Sequence, residues 1–495
     1  MRRRVGGIGV VAALVAAAIA PSVSPASSTD PTVYASVGST PTGQAIGSGF
    51  VGVSMEFQAV HTYTGSNPNA INPVLVALLK GLAPDQQPVL RIGGDSTDQT
   101  WWPIRGVIPP GGVTYTLNRD WLATTRALVQ QLDARLIIGV NLAAGRPSFA
   151  TAEARAFLSG IGRRYIEAME VGNEPDLYGQ FVWYHAPDGK NFLARPKDYD
   201  FTDFASQFSR WEAALPGVPV AGPALAELAW LGDLARFVSA APGLSLVTVH
   251  RYPLRGCIHD SSSPLYASIP NLLADSSSAG LAADLAPYVS AVHASGLQLR
   301  VDEMNSVACS GVKGVSNTFA SALWAVDTLF NMASIGVDGV NFHTLPHAGY
   351  ELFTFEHVHG TWEAFVHPEY YGMLMFEQAA PPGSRLLPTS APSGPVKVWA
   401  TQTPSGGEHI VLINKSLTAS QNVQVTVPDA GTASVEWLQA PSAASTSGVS
   451  LGGQTFGAET TSGTLSSMHD GQLPSFLGAY TIEVPPASAV MLTQP

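Results

Sequence analysis

Eight short apolar runs, separated by stretches of helical periodicity, constrain this chain more than any other feature of its sequence. They centre on Val51, Val89, Leu136, Ile166, Val218, Val247, Leu299 and Val340. Each reads as a buried strand that stops at polar or turn-forming residues. Between them, helical periodicity runs over Pro73 to Leu82, Arg119 to Leu132, Ala152 to Gly160, Phe201 to Ala214, Ala229 to Ala240, Leu281 to Ser295 and Phe319 to Ile335. Alternating β and α units in this number predict an α/β fold, a parallel (β/α)8 barrel over residues 46–378. Beyond Gln378 the periodicity changes to short alternating runs: Val396 to Gln402, His409 to Asn414, Val423 to Val427, Ala433 to Leu438, Tyr480 to Val484 and Ala489 to Leu492. With turn signals at Gly406-Gly407 and Asp429-Ala430-Gly431, these predict a C-terminal all-β sandwich. The run Thr32 to Ser36 has no place in the barrel, so residues 27–45 are assigned with 379–495 to the sandwich. Ser442 to Ser467, rich in Ser, Gly and Thr, reads as a long loop.

A 495-residue chain that is 45% hydrophobic and 13% charged suits a well-buried enzyme with an accessory domain. Its formal charge of −12 argues against a nucleic-acid partner, which needs a basic surface. Residues 1–26 have the form of a secretory signal: Arg2, Arg3 and Arg4, an apolar stretch from Ile8 to Ala20, and Ser24-Pro25-Ala26 as a cleavage site. A secreted protein with no membrane attachment after cleavage is expected. Export permits a disulfide, and the two cysteines, Cys257 and Cys309, follow two of the predicted strands on one face; a bridge between them is expected.

Two of the strands end in glutamates. The fourth runs into Met169-Glu170-Val171-Gly172-Asn173-Glu174-Pro175, where Pro175 lacks the amide a central strand needs. The seventh ends at Asp302-Glu303-Met304-Asn305-Ser306. Barrel chemistry sits at the carboxyl ends of the strands, where Glu174 and Glu303 would lie. Two carboxylates at a barrel mouth are what glycoside hydrolysis needs: one to protonate the leaving oxygen, the other to attack the anomeric carbon. Asn173 is a natural donor to a sugar 2-hydroxyl. The spacings of His343, His347, His357, His359 and His367 match no compact zinc signature. Neither a metal nor another cofactor is expected, because retaining hydrolysis requires none.

Several segments resemble glycoside hydrolase family 79, within the clan A retaining glycosidases. They are Leu90-Arg91-Ile92-Gly93-Gly94-Asp95-Ser96, His250-Arg251-Tyr252, Asp302 to Gly311, Gly314 to Phe319, Ala322-Leu323-Trp324 and Ala348-Gly349-Tyr350. That family contains β-glucuronidases and heparanase. The resemblance implies Glu174 as acid/base, Glu303 as nucleophile and Tyr252 as a partner holding the nucleophile's carboxylate. It further implies Glu56 on sugar hydroxyls, and Tyr350 with backbone amides near Ser310 and Gly311 on the uronate carboxylate. Heparanase-like members carry Tyr-Gly-Gly after the nucleophile, whereas this chain has Ala308-Cys309-Ser310-Gly311, more similar to microbial exo-β-glucuronidases. The expected activity is therefore a retaining exo-β-glucuronidase acting on β-glucuronides, with acceptance of 4-O-methyl-glucuronides left open. Open alternatives are an endo-β-glucuronidase of heparanase or hyaluronidase type, another clan A glycosidase, and an inactive carbohydrate-binding protein.

Overall fold

The computed structural model describes residues 32–465 and 471–495. The leader read in residues 1–26 lies outside the described residues. Eight strands close into a parallel barrel: Val51–Glu56, Val89–Gly93, Arg135–Val140, Ile166–Val171, Val220–Leu225, Leu244–Arg251, Gln298–Met304 and Gly339–Thr344. Each pairs with the next in sequence, and the eighth pairs with the first.

Side chains alternate across each strand, so a barrel strand must satisfy two environments at once. In the second strand Leu90 and Ile92 join the large core beneath the helices, while Val89 and Arg91 point into the barrel. Val89, Ile137, Ala168, Ala221 and Leu246 form an apolar plug. Two residues further along those strands the lining turns polar, with Arg91, Glu170 and Thr248 all fully buried.

Helix boundaries follow local chemistry. Asn118 and Asp200 cap Arg119–Leu132 and Phe201–Ala214, their side chains accepting first-turn amides. The helix expected over Ala152 to Gly160 instead begins at Pro147, which suits the first turn, and ends at Phe157 in a π-turn. The expected Leu281 to Ser295 helix is two short ones, Ala279–Ala283 and Ala286–Ala294, the second with Pro287 in its first turn. Before Leu234–Ala240 the chain is 3-10 rather than α.

The C-terminal part packs two sheets face to face. Val33–Val37 pairs parallel with Gln421–Thr426, in a sheet that also holds Thr389–Ser390 and Ala479–Val484. The larger sheet is built on Val396–Gln402, Glu408–Asn414, Ser488–Gln494 and Thr432–Gln439. Within Glu408–Asn414, Ile410 and Leu412 face the smaller sheet, whereas Val411 and Ile413 join the barrel's core. One strand thus buries both faces, and through it and its neighbour Val396–Gln402 the sandwich is welded to the helices Phe319–Ser334 and Pro368–Ala379. Trp399 stacks on Phe330 with centroids 5.4 Å apart and donates to Asp327 at 2.9 Å, and Lys415 meets the same carboxylate at 2.5 Å. Among the described residues no helix is long and apolar enough to cross a membrane.

Candidate active site

Arg91 is the hub of the site. Its guanidinium is fully buried, an arrangement that requires compensating carboxylates. Nε donates to Glu170 at 2.7 Å and lies 3.3 Å from Asp302, while Nη1 donates to Glu303 at 2.6 Å and to Ser54 at 3.1 Å. Nη2 donates to Asn173 Oδ1 at 3.0 Å and lies 3.2 Å from His250 Nε2. Asp302 and Glu303 are consecutive and would point to opposite faces of a regular strand. A register shift beside Val249 and His250 interrupts the pairing there, and both carboxylates reach Arg91.

Burial disfavours ionisation of Glu303. Opposing it are His343, with Nδ1 3.7 Å away, then His250 and Arg91, and the Tyr252 hydroxyl donating at 2.8 Å. The attractions win, and the carboxyl is held well below the usual range, ionised at any working pH. Burial and the Glu303 charge push the Tyr252 hydroxyl up, so it stays a donor. Burial also works against charge on His343, but the Glu303 and Glu56 carboxylates overcome it and raise its pKa.

Glu174 has a left-handed backbone at φ 49°, its amide bonded to Ala224 O at 2.9 Å. Its carboxylate meets His250 Nδ1 at 2.9 Å and is more exposed than that of Glu303. Carboxylate oxygens of Glu174 and Glu303 lie within 4.8 Å of one another. That spacing fits a direct displacement and leaves no room for the interposed water an inverting enzyme requires.

Asp98 orders the turn that carries Asn173. One carboxylate oxygen accepts the Leu142 and Ala143 amides, both at 2.9 Å; the other accepts the Asn173 amide at 3.1 Å and the Tyr178 hydroxyl at 2.5 Å. Asp176, pushed up to about 7 by burial and then by Glu174, accepts the Ala226 and Glu227 amides and ties the loops after strands four and five.

Of the residues singled out in the sequence, Glu303, Tyr252, Asn173 and Glu174 are gathered around Arg91 and His250. Glu56 accepts the Asp95 and Ser96 amides and stands 3.6 Å from His343. Tyr350 is buried, its ring 6.2 Å from that of Tyr252 and 5.9 Å from that of His343. Ser310 O accepts the Gly349 amide at 2.7 Å, locking the loops after strands seven and eight together. Gly311 sits at φ 73°, and a Cβ there would come within 2.7 Å of the Tyr350 amide, so no larger residue fits beside Tyr350. Cys257 and Cys309 are brought side by side, their sulfurs 2.6 Å apart. The short parallel pairing of Leu254–Arg255 with Val307–Ala308 already holds those loops together by backbone bonds.

Sequence reading did not assign roles to Arg91, Asp98, His250 or His343. An arginine inside the apolar run Val89–Gly93 was the available signal, because a buried cation demands partners. Asp98 gave none, since its donors come from three separate segments. As for metals, among the described residues Glu170, His250 and Asp302 gather ligand atoms within 4.8 Å, as do Glu174, His250 and Glu303. In the first cluster Arg91 already supplies the positive charge.

A parallel barrel with two juxtaposed carboxylates at its mouth, one ionised and one more open, is the arrangement that retaining glycoside hydrolysis uses. Residues 398–491 match the model described as the glycosyl hydrolase family 79 C-terminal beta domain. A β-glucuronidase from Neurospora crassa is 25% identical over an alignment of 348 residues that covers 63% of this chain. The chain spans about 60% of the length of that relative. Among solved structures, a 4-O-α-L-rhamnosyl-β-D-glucuronidase from Fusarium oxysporum 12S superposes with a TM-score of 0.72 at 18% identity, covering 93% of this chain and 100% of that one. A GH51 arabinofuranosidase from Xanthomonas axonopodis pv. citri gives a TM-score of 0.67 at 15% identity, covering 93% and 99%. These likenesses concern the fold.

Proposed function

We propose that the protein is a retaining exo-β-glucuronidase. The observation that carries the mechanism is the pairing of an ionised Glu303, held by Arg91, Tyr252 and His343, with Glu174 less than 5 Å away. Glu303 attacks the anomeric carbon while Glu174 gives its proton to the glycosidic oxygen. The aglycone departs, leaving a glucuronyl ester on Glu303. Glu174, now a base, takes a proton from water, and the hydroxide attacks the same carbon to restore the β configuration. Asn173, oriented by Arg91 and Asp98, donates to the 2-hydroxyl, and Glu56 accepts from the ring's other hydroxyls.

The uronate carboxylate is read by the Tyr350 hydroxyl and backbone amides near Ser310 and Gly311. Burial and then Glu303 raise the Tyr350 pKa, so it remains a donor. Neutral donors suit this place: a cation here would favour ionisation of the acid that must keep its proton. The identity of the Neurospora relative supports the uronate reading. It is tested by comparing nitrophenyl β-glucuronide with the matching β-glucoside and β-galactoside. Glucuronide is expected to be the preferred substrate, with Tyr350→Phe lowering kcat/KM for glucuronide by about tenfold relative to glucoside, the scale of one hydrogen bond to a charged group. Preference for either neutral sugar would sink the assignment.

We further propose that the protein is secreted and that Cys257 and Cys309 are oxidised to a bridge in the extracellular medium, on the strength of the leader-like start and the adjacency of the thiols. Protein recovered from culture medium is expected to lack the leader and to weigh two hydrogens less than its reduced form. Full labelling of both thiols without reductant is the contrary result.

A further inference from the structure

In a retaining displacement the aglycone lies beyond the acid, because the acid's proton goes to the oxygen that leaves. On the glucuronidase reading, the loops after strands seven and eight hold the uronate, so the leaving group projects over the chain that follows Glu174. That chain makes one 3-10 turn, Pro175–Leu177, and then the hairpin of Val182–His185 with Asn191–Leu193. Its root is anchored to the catalytic turn. Phe181 donates its amide to Leu177 O at 3.1 Å, and Trp183 Nε1 donates to Asp98 O at 3.2 Å. Asp98 in turn accepts the Asn173 amide, so two hydrogen bonds separate the hairpin from the residue preceding the acid.

The hairpin is unusual in what it leaves open. Phe181 is 61% exposed, Phe192 41% and Val182 40%. Phe192 lies parallel to Tyr184, with centroids 4.8 Å apart and planes within 5°. Tyr184 abuts Gly111, in the same loop as Ile108, which is 87% exposed. Large apolar side chains gathered in the open at the rim of a site mark a binding surface. Of the nearby cations, Lys190 is paired with Asp188 at 2.7 Å and Arg195 spends its guanidinium on the Leu142, Ala143 and Ala194 carbonyls and Gln207, while Lys197 and Arg105 are exposed.

We propose that this hairpin is the leaving-group shelf and that it receives an aglycone with a flat apolar face, an aryl group. Stacking on Phe181 and Phe192 holds such an aglycone against Glu174.

The test compares kcat/KM for naphthyl β-glucuronide and methyl β-glucuronide in the wild type and in the Phe181→Ala/Phe192→Ala double variant. The naphthyl-to-methyl ratio is expected to fall by about tenfold, the scale of losing part of one buried ring. Phe476→Ala, a 78%-exposed site on the sandwich, is expected to leave the ratio unchanged. An unmoved ratio in the double variant, or an equal loss on both substrates, overturns the shelf. So does a selective loss on a glucuronosyl-galactose disaccharide with naphthyl turnover intact. If the wild type cleaves only neutral glycosides, the glucuronidase reading fails by itself, and the same ratio measured with naphthyl and methyl β-glucosides decides the shelf independently.

Discussion

Glu303→Ala is expected to lower kcat by at least about 10⁴-fold, the scale on which removal of a covalent nucleophile disables an enzyme. The site gives Glu303 no substitute. Asp302 is spent on Arg91 inside the barrel, and Glu174 stands on the leaving-group side. Adding azide to this variant with an activated aryl glucuronide should restore turnover and yield the α-glucuronosyl azide, because the anion enters from the face the carboxylate vacated. Nuclear magnetic resonance of the product reads the anomer directly. Recovery of the β-azide would mean that the residue removed was the acid/base, and the two roles would have to be exchanged. The same treatment of Glu174→Ala should give the β-azide, with activity lost far more on alkyl than on nitrophenyl leaving groups, which need little protonation.

Arg91→Met is the substitution expected to cost most stability. It removes one buried cation from contact with Glu170, Asp302 and Glu303, leaving carboxylates that burial alone would drive to take up protons. Breaking a buried pair in this way costs about 3–5 kcal/mol. Its pH dependence has a definite sign. In the wild type Glu303 has a depressed pKa in the folded state, so its contribution is present above the unfolded value of about 4.3 and fades as the pH falls below it. Without Arg91 the Glu170 and Glu303 carboxyls lose part of what holds them down, and the variant should gain stability relative to wild type as the pH falls through the range where they take up protons. Urea unfolding of both proteins at neutral pH and near pH 5 would measure this. A cost that does not shrink toward acid would show that Arg91 acts through packing alone.

The barrel was legible because its signal is local. A strand buried on both faces leaves an apolar run, a helix leaves its own period, and eight alternations admit few topologies. Pro175 marked the end of the fourth strand in the same local way. Helix ends were read less well: whether a proline starts a helix, as at Pro147, or divides one, as at Pro287, depends on what packs around it.

What the sequence by itself determined is the architecture and the identity of two glutamates at strand ends, since period and position along the chain carry both. Only the tertiary structure decided how Glu303 stays ionised and how Glu174 comes to face it. Those properties come from Arg91 on the second strand, Tyr252 and His250 after and on the sixth, His343 on the eighth, and a register shift that turns two consecutive acids onto one guanidinium. Electrostatic control of this kind acts across a few ångströms between residues up to 252 positions apart, counting from Arg91 to His343, and nothing along the chain encodes that distance.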